Sequence, residues 1–402
     1  MLYLNDYYKN TPLDTKTIDQ DLLNITDRSK TNPLPWNGQF SPQLIEILLH
    51  HFSNQSDILF DPFLGSGTTL LEAGEQNREA YGTDINHAAV SLAKIYELIN
   101  FDNSERLSLI NEFDGLLKKY GIIYSNLIIK EKVIIKNQLD ILYNKYLNSK
   151  YKILLNCFII LLDLYKNDFS IKRLTLIWQK IKNLISNLPL SDKKICVFQE
   201  DARDTSFSDS IIDFVITSPP YINVFNYHQN YRASSEYLNG SVLATAQSEI
   251  GSNRKNRGNR FFTVTQYCID MALVFRELNR ICKENSKIIF IVGRESTVKK
   301  TNFKNGEIVS EVACTCCNLQ LFNRQERVFV NRYGENIYED ILYFKSSKLL
   351  SCPIENAKLI AFLILNKVLQ EAPDESKSDL LLAIEKVDNI QPSIYFNKGN
   401  SR

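Results

Sequence analysis

The segment Asp61-Pro62-Phe63-Leu64-Gly65-Ser66-Gly67-Thr68-Thr69 constrains this chain more than any other. It follows the short apolar run Ile58-Leu59-Phe60 and leads into a stretch that reads as a helix from Thr68 to Asn77. A strand that ends in a glycine-paired turn and enters a helix is half of a βαβ unit, which belongs in a parallel sheet covered on both faces. Gly65 and Gly67 permit a tight turn and let the backbone approach a ligand closely. Ligands of open α/β sheets bind at strand carboxyl ends, so a small molecule belongs at this turn.

The alternation continues with a strand at Ala80-Tyr81-Gly82-Thr83-Asp84-Ile85 and a helix from Ala88 to Ile99, and then stops. Residues 103–190 are rich in Leu, Ile, Lys and Asn, show no period-two stretch, and read as a helical block with an excess of positive charge. Strands resume at Lys194–Phe198 and Ile211–Ile216, followed by a helix from Tyr267 to Lys283 and a strand from Lys287 to Val292. Asn318–Val330 and Asn336–Phe344 alternate around the turn residues Asn331 to Glu335, which predicts a terminal antiparallel hairpin. The expected fold is α/β: a doubly wound, mostly parallel, Rossmann-like sheet with that hairpin and a helical insertion. Its expected parts are an arm (1–32), a sheet domain (33–102 and 191–346), the insertion (103–190) and a helical appendage (347–402).

Apolar and charged fractions of 44% and 23% are those of an ordinary globular chain, and a net charge of +1 means that any polyanion must be held by local patches. Met1-Leu2-Tyr3-Leu4-Asn5-Asp6 turns polar at once, and the most apolar run, Ile153 to Tyr165, is too short for a bilayer, so a cytoplasmic protein is expected. The cysteines are scattered through apolar runs, as reduced buried thiols are. Cys314, Cys316 and Cys317 lack the paired Cys-x-x-Cys knuckles of a zinc site, and no metal is expected there.

The glycine turn lacks the lysine of a phosphate loop, since Thr68-Thr69 follows Gly67, and Leu70 stands where a dinucleotide turn has its third glycine. Asp61 would repel a phosphate and suits an ammonium group. Asp84 ends the second strand, where an acid in such folds accepts ribose hydroxyls. Asp201, just after Lys194–Phe198, is placed to accept from an exocyclic amine. A cationic amino-acid tail, a ribose and an adenine together indicate S-adenosylmethionine. Candidate contacts are Asp61, Pro62, Phe63, Gly65, Ser66, Gly67, Thr68 and Thr69 from the turn, with Asp84, Ile85, Asp201 and Ala202.

Far downstream, Thr217-Ser218-Pro219-Pro220-Tyr221 closes another strand. The prolines fix their own backbone and restrict the residues before them. An amino group conjugated to an aromatic ring is a poor nucleophile because its lone pair is delocalised. Accepting both its protons, at Ser218 Oγ and the Pro219 carbonyl, pushes the nitrogen toward tetrahedral geometry and exposes that lone pair. Tyr221 could stack on the ring. Ser218, Pro219, Pro220 and Tyr221 are the candidate catalytic residues, with positioning as the main source of rate.

Asp-Pro-Phe-x-Gly-Ser-Gly-Thr-Thr followed by Ser-Pro-Pro-Tyr resembles the amino-group DNA methyltransferases, which modify cytosine N4 or adenine N6. The resemblance covers about residues 33–100 and 194–345. It implies that Phe40, Ser41 and Pro42 complete the methionine pocket. Serine at the head of the tip is more typical of the cytosine-N4 type, and the cofactor turn precedes the tip here, unlike in many N4 enzymes. Double-stranded DNA is the implied substrate and, in a restriction–modification setting, a cognate endonuclease a companion. An adenine-N6 enzyme, an RNA base-amine methyltransferase and a non-catalytic DNA- or cofactor-binding subunit are the alternatives. Candidate DNA contacts are Tyr227, His228 and Tyr231, near Phe225, and the basic loop with Arg254, Lys255, Arg257 and Arg260. The helical block is either a recognition domain or an oligomer contact.

Overall fold

The computed structural model describes residues 3–123, 132–222, 226–251, 258–331, 334–347 and 353–396. Its sheet comprises β1 (Leu59–Asp61), β2 (Ala80–Thr83), β3 (Ile195–Phe198), β4 (Ile212–Thr217), β5 (Cys282–Gly293), β8 (Gln320–Val330) and β9 (Asn336–Lys345). The order is β3-β2-β1-β4-β5-β9-β8; a separate ribbon pairs β6 (Glu295–Val298) with β7 (Thr301–Lys304). Strands β3 to β5 run parallel, and β9 inserts antiparallel between β5 and β8. The order reverses between β1 and β4, so the chain leaves the sheet centre in opposite directions at that point. A crevice forms there, outside the strand ends.

Interior strands covered on both faces read as continuous apolar runs, and β5 does so at Ile288-Ile289-Phe290-Ile291-Val292, all buried. Alternate side chains serve opposite layers. Ile289 and Ile291 join Leu44, Leu48, Phe158 and Trp178 on one face. Ile288, Phe290 and Val292 join Phe275, Val309, Ile360 and Leu365 on the other. The β5 strand begins at Cys282, ahead of the expected Lys287, and the ladder with β4 shifts register between Ile212 and Phe214 to absorb the extra residues. The helix before it starts at Phe262 rather than Tyr267.

The helical block supplies Asn103–Lys119, Lys132–Tyr146, Lys152–Leu162 and Ile171–Ser186. Asp102 and Glu105 form a capping box at its entry. Leu154, Leu155, Phe158, Ile159, Ile160 and Leu162 share one apolar cluster with the sheet-facing Leu59, Leu92 and Ile216, so the block is continuous with the main core. Arg106, 3% exposed, ties its two ends together. Its guanidinium donates to the Leu98 and Ile99 carbonyls at entry (2.9 and 3.0 Å) and to the Leu188 and Pro189 carbonyls at exit (2.6 and 2.5 Å).

Helices Pro353–Leu369 and Asp374–Glu385 cover the opposite face, and residues 390–396 then run back to Asp201, just after β3, which accepts from Phe396 N–H. The N-terminal arm lies along β8, where Asp14 N–H donates to the Arg324 carbonyl (2.8 Å). Among the described residues no helix is long and apolar enough to cross a membrane.

Candidate active site

The glycine turn is held open by packing as well as by conformation. Gly65 and Gly67 have φ of 55° and 91°, in the left-handed region that favours glycine. A Cβ on Gly67 would lie 2.8 Å from the Tyr96 ring, and one on Gly65 would lie 3.0 Å from Trp36. The turn delivers the chain into the helix Thr68–Glu75. Its backbone is aimed by Asp84, whose Oδ2 accepts from Gly65 N–H (3.0 Å) and whose Oδ1 accepts from Asn86 N–H (2.8 Å). Burial pushes the Asp84 carboxyl up to about 6, against those two hydrogen bonds.

A cleft of about 830 Å³ opens over the carboxyl ends of β1 to β4. Pro62, Phe63, Leu64, Gly65, Ser66 and Thr68 form one wall; Asp84, Ile85 and Asn86 form the next; Glu200, Asp201 and Ala202 the third. Ser218 and Pro220 close it on the β4 side, and Trp36 with Phe40 covers it. Ile85 and Ala202 offer apolar surface to a flat group, Asp84 offers an acceptor for hydroxyls, and the glycine turn offers backbone to a polar tail. The lining therefore fits S-adenosylmethionine.

A second cleft, of about 950 Å³, lies on the other side of Ser218. Asn24, Arg28, Lys30, Asn32, Ser41, Pro42, Arg327, Phe329 and Glu339 line it, and Gly38, Gln39, Phe40 and Ser218 line both clefts. Ser218 Oγ lies 3.3 Å from the Tyr221 hydroxyl. The Tyr221 ring rests on Gly293 at the end of β5, where an added Cβ would lie 3.0 Å from it. The tip is thus backed by the sheet and points Ser218 at the junction.

Several residues read as contacts serve other ends. Asp61 is 1% exposed and lies behind the wall rather than in it. Its Oδ1 accepts from Thr217 Oγ (2.6 Å) and Phe63 N–H (3.1 Å), and its Oδ2 accepts from Thr69 Oγ (2.6 Å). Burial raises its carboxyl to about 6, against those hydrogen bonds. The ammonium contact expected at Asp61 is therefore corrected: Asp61 and Thr69 brace the turn, and Thr217, the residue beside Ser218, ties that turn to the tip. Gly67 shapes the turn without lining the cleft.

Asp201 lines the cleft, but its carboxylate is already occupied, which corrects its reading as the acceptor for an adenine amine. Oδ1 accepts from Arg203 N–H and Nε (3.0 and 2.9 Å), and Oδ2 from Arg203 Nη2 and Phe396 N–H (2.7 and 2.9 Å). Fully buried Arg203 also donates to Asp270 and to the Ser393 and Ile394 carbonyls (each 2.9 Å), with Tyr395 stacked on it. Burial by itself would lower the Arg203 pKa; its acidic partners drive it well above the ordinary value.

Tyr227 and His228, expected on the DNA side, turn inward. Tyr227 lines the cofactor cleft and its carbonyl accepts from Asn86 Nδ2 (2.9 Å), while buried His228 pairs through Nδ1 with Glu249 (2.8 Å). Tyr231 is half-buried, stacks on Trp36 at 6.4 Å and reaches the Pro35 carbonyl. Arg260 is exposed just before the helix Phe262–Ile281. Phe225, Arg254, Lys255 and Arg257 lie outside the described residues. Ser41 and Pro42 line the second cleft only, and Phe40 serves both. Trp36, Gln39, Glu249 and the strand residues Arg327 and Glu339 carried no local motif and were not expected. Cys314, Cys316 and Cys317 are buried on the helix Asn305–Cys317, where burial raises all three thiols.

A family model described as DNA methylase matches residues 5–95. The type II methyltransferase M.MjaII of Methanocaldococcus jannaschii is 33% identical over 134 residues, 28% of this chain and 25% of that protein. The type II methyltransferase M.MvaI of Kocuria varians is 23% identical over 369 residues, 72% of this chain and 81% of that one. Similarity to M.MjaII thus spans about a quarter of that relative's length. A solved SAM-dependent methyltransferase from Methanosarcina mazei aligns at 13% identity over 75% of this chain and 97% of its own, with a TM-score of 0.34.

Proposed function

We propose that the chain is an amino-group DNA methyltransferase that methylates the exocyclic N4 amine of a flipped cytosine in double-stranded DNA, a reading supported by the DNA methylase match over residues 5–95 and by the type II methyltransferase relatives. The cofactor is S-adenosylmethionine. The observation that carries the proposal is the place of Ser218, the tip residue shared by both clefts. One cleft is a cofactor site by its lining, and the other receives the base, so the amine meets Ser218 where the two join.

Bound S-adenosylmethionine supplies an electrophilic methyl group on a sulfonium. The chain's own residues do the rest. Asp84 accepts ribose hydroxyls, and the glycine turn presents backbone to the amino-acid tail. Ile85 and Ala202 would hold the adenine, and Trp36 and Phe40 would exclude water. Ser218 Oγ and the Pro219 carbonyl accept hydrogen bonds from the amine N–H groups, which localises the nitrogen lone pair; methyl transfer to that nitrogen would break the sulfur–methyl bond, leave S-adenosylhomocysteine and release the surplus amine proton to solvent. Asp61 holds Thr217, and with it the tip, in fixed register to the cofactor turn (2.6 Å). Alignment of two bound groups, without a covalent enzyme intermediate, is the main source of rate. The serine at the tip favours cytosine over adenine. The names of the relatives as type II methyltransferases support a restriction–modification setting, in which a cognate endonuclease would be the companion.

Expression in a methylation-free host, followed by sequencing that separates N4-methylcytosine from N6-methyladenine, tests the reading. N4-methylcytosine at one sequence context is the expected mark. Ser218→Ala is expected to lower kcat by roughly a hundredfold while leaving cofactor affinity intact, as loss of a positioning contact does. Labelled methyl on tRNA or rRNA but not on DNA would overturn it.

A further inference from the structure

On the reading that the second cleft takes the target base, we infer that Arg327 reads that base, donating from Nη1 and Nη2 to the O2 and N3 acceptors of a cytosine. A lateral row leads from the tip to this residue. Tyr221 rests on Gly293 of β5, Gly293 pairs with Glu339 of β9, and Glu339 pairs with Arg327 of β8. Arg327 and Glu339 both line the cleft that contains Ser218.

The state of the Arg327 side chain supplies the independent observation. The residue is 6% exposed, and its guanidinium is fixed on two sides. Nε donates to Glu339 Oε2 (2.7 Å), and the Phe329 ring lies 4.6 Å from the guanidinium carbon. Among the described residues Nη1 and Nη2 have no hydrogen-bond acceptor. Donors that open on a cleft without an acceptor are available to a ligand there, and a guanidinium held this firmly loses little freedom on binding. A cross-strand ion pair needed only for the sheet would place its fork on Glu339; here only Nε is used.

The chemistry selects the ligand. A planar fork with unmatched N–H groups wants adjacent acceptors on a planar partner. The Watson–Crick edge of cytosine offers N3 and O2 side by side once its N4 amine is turned to Ser218. Adenine, with its N6 amine in the same place, offers N1 and then a C–H. Arg327 would thus accept cytosine and leave one donor unmatched against adenine, the situation in which a polar site discriminates most strongly. Flipped bases are read on this edge.

The test uses the full chain and a duplex carrying the site found by sequencing, with the target base either present or removed to leave an abasic position. Arg327→Met should weaken binding of the intact duplex by roughly tenfold or more and leave the abasic duplex within twofold of wild type, with S-adenosylmethionine affinity unchanged as evidence of a folded site. Arg327→Lys should recover part of the loss. Equal weakening on both duplexes, or no weakening on the intact one, would overturn the inference. If wild type marks adenine, the two-acceptor assignment falls with the cytosine reading. If wild type marks cytosine and Arg327→Met binds both duplexes as wild type does, only the Arg327 inference falls.

Discussion

Asp61→Asn separates two roles that one carboxylate could play. In the structure Asp61 braces the turn from behind, with its carboxyl raised by burial from 3.8 to about 6. That displacement corresponds to about 3 kcal/mol, at roughly 1.4 kcal/mol per pH unit. The folded chain holds the proton more tightly than the unfolded one. This contribution is therefore fully present below the unfolded value of 3.8 and is lost as pH rises through about 6. Asparagine does not titrate. It keeps a carbonyl for Thr217 and Phe63 and turns an amide toward Thr69 Oγ, which can accept. Between pH of about 4 and 7 the variant should gain about 3 kcal/mol relative to wild type. With an unfolding entropy of about 2 cal/mol/K per residue over 402 residues, the gain is about 3–4 °C in Tm. Paired thermal melts across that range measure it, and calorimetry with S-adenosylmethionine should find affinity within about threefold of wild type, since the residue does not line the cleft. Parallel pH profiles for the two proteins would refute the titration argument. Loss of cofactor binding by a well-folded variant would restore the ammonium contact that the turn alone implies.

Two further outcomes follow from the same geometry. Asp84 faces the cofactor cleft with its carboxyl raised to about 6, so cofactor affinity should climb as pH rises from about 5 to 7 and the better-accepting carboxylate forms, whereas Asp84→Asn should bind weakly with a flat profile by calorimetry. Arg203→Met strands the buried Asp201 and Asp270 carboxylates and should cost about 3–5 kcal/mol, read as a lowered denaturation midpoint.

What the chain's own order displays, and what it hides, divides by distance along the sequence. Gly65 and Gly67 could be placed at a turn, and Asp84 at a strand end, because neighbouring residues set both, although the turn alone did not show that Gly67 stays off the cleft. Ser218 could be placed because two prolines fix the backbone after it. The alternating β8 and β9 also announced themselves, since period-two burial is a local pattern. Asp201 misled because Arg203, which takes three of its hydrogen bonds, is locked onto it by Asp270 and the Ser393 and Ile394 carbonyls, and those groups, like Phe396, are remote in sequence. Tyr227 and His228 looked free for DNA because Glu249, which buries His228, stands 21 residues on. The second cleft is drawn from residues 24–42, 218 and 327–339, and no spacing rule joins those segments. The lysine-rich block looked separable because its composition differs, yet its apolar side chains complete the core beside the sheet.

Arg106 gives that block a particular standing in how such a protein can change. One guanidinium fastens both the departing and the returning strands of chain, so the junctions are a single knot rather than two independent seams. Cutting there and splicing in a foreign module would undo both ends at once and strip the sheet of its cover. Change in this block is then confined to the outward surface of these helices, one side chain at a time, with the architecture inherited whole.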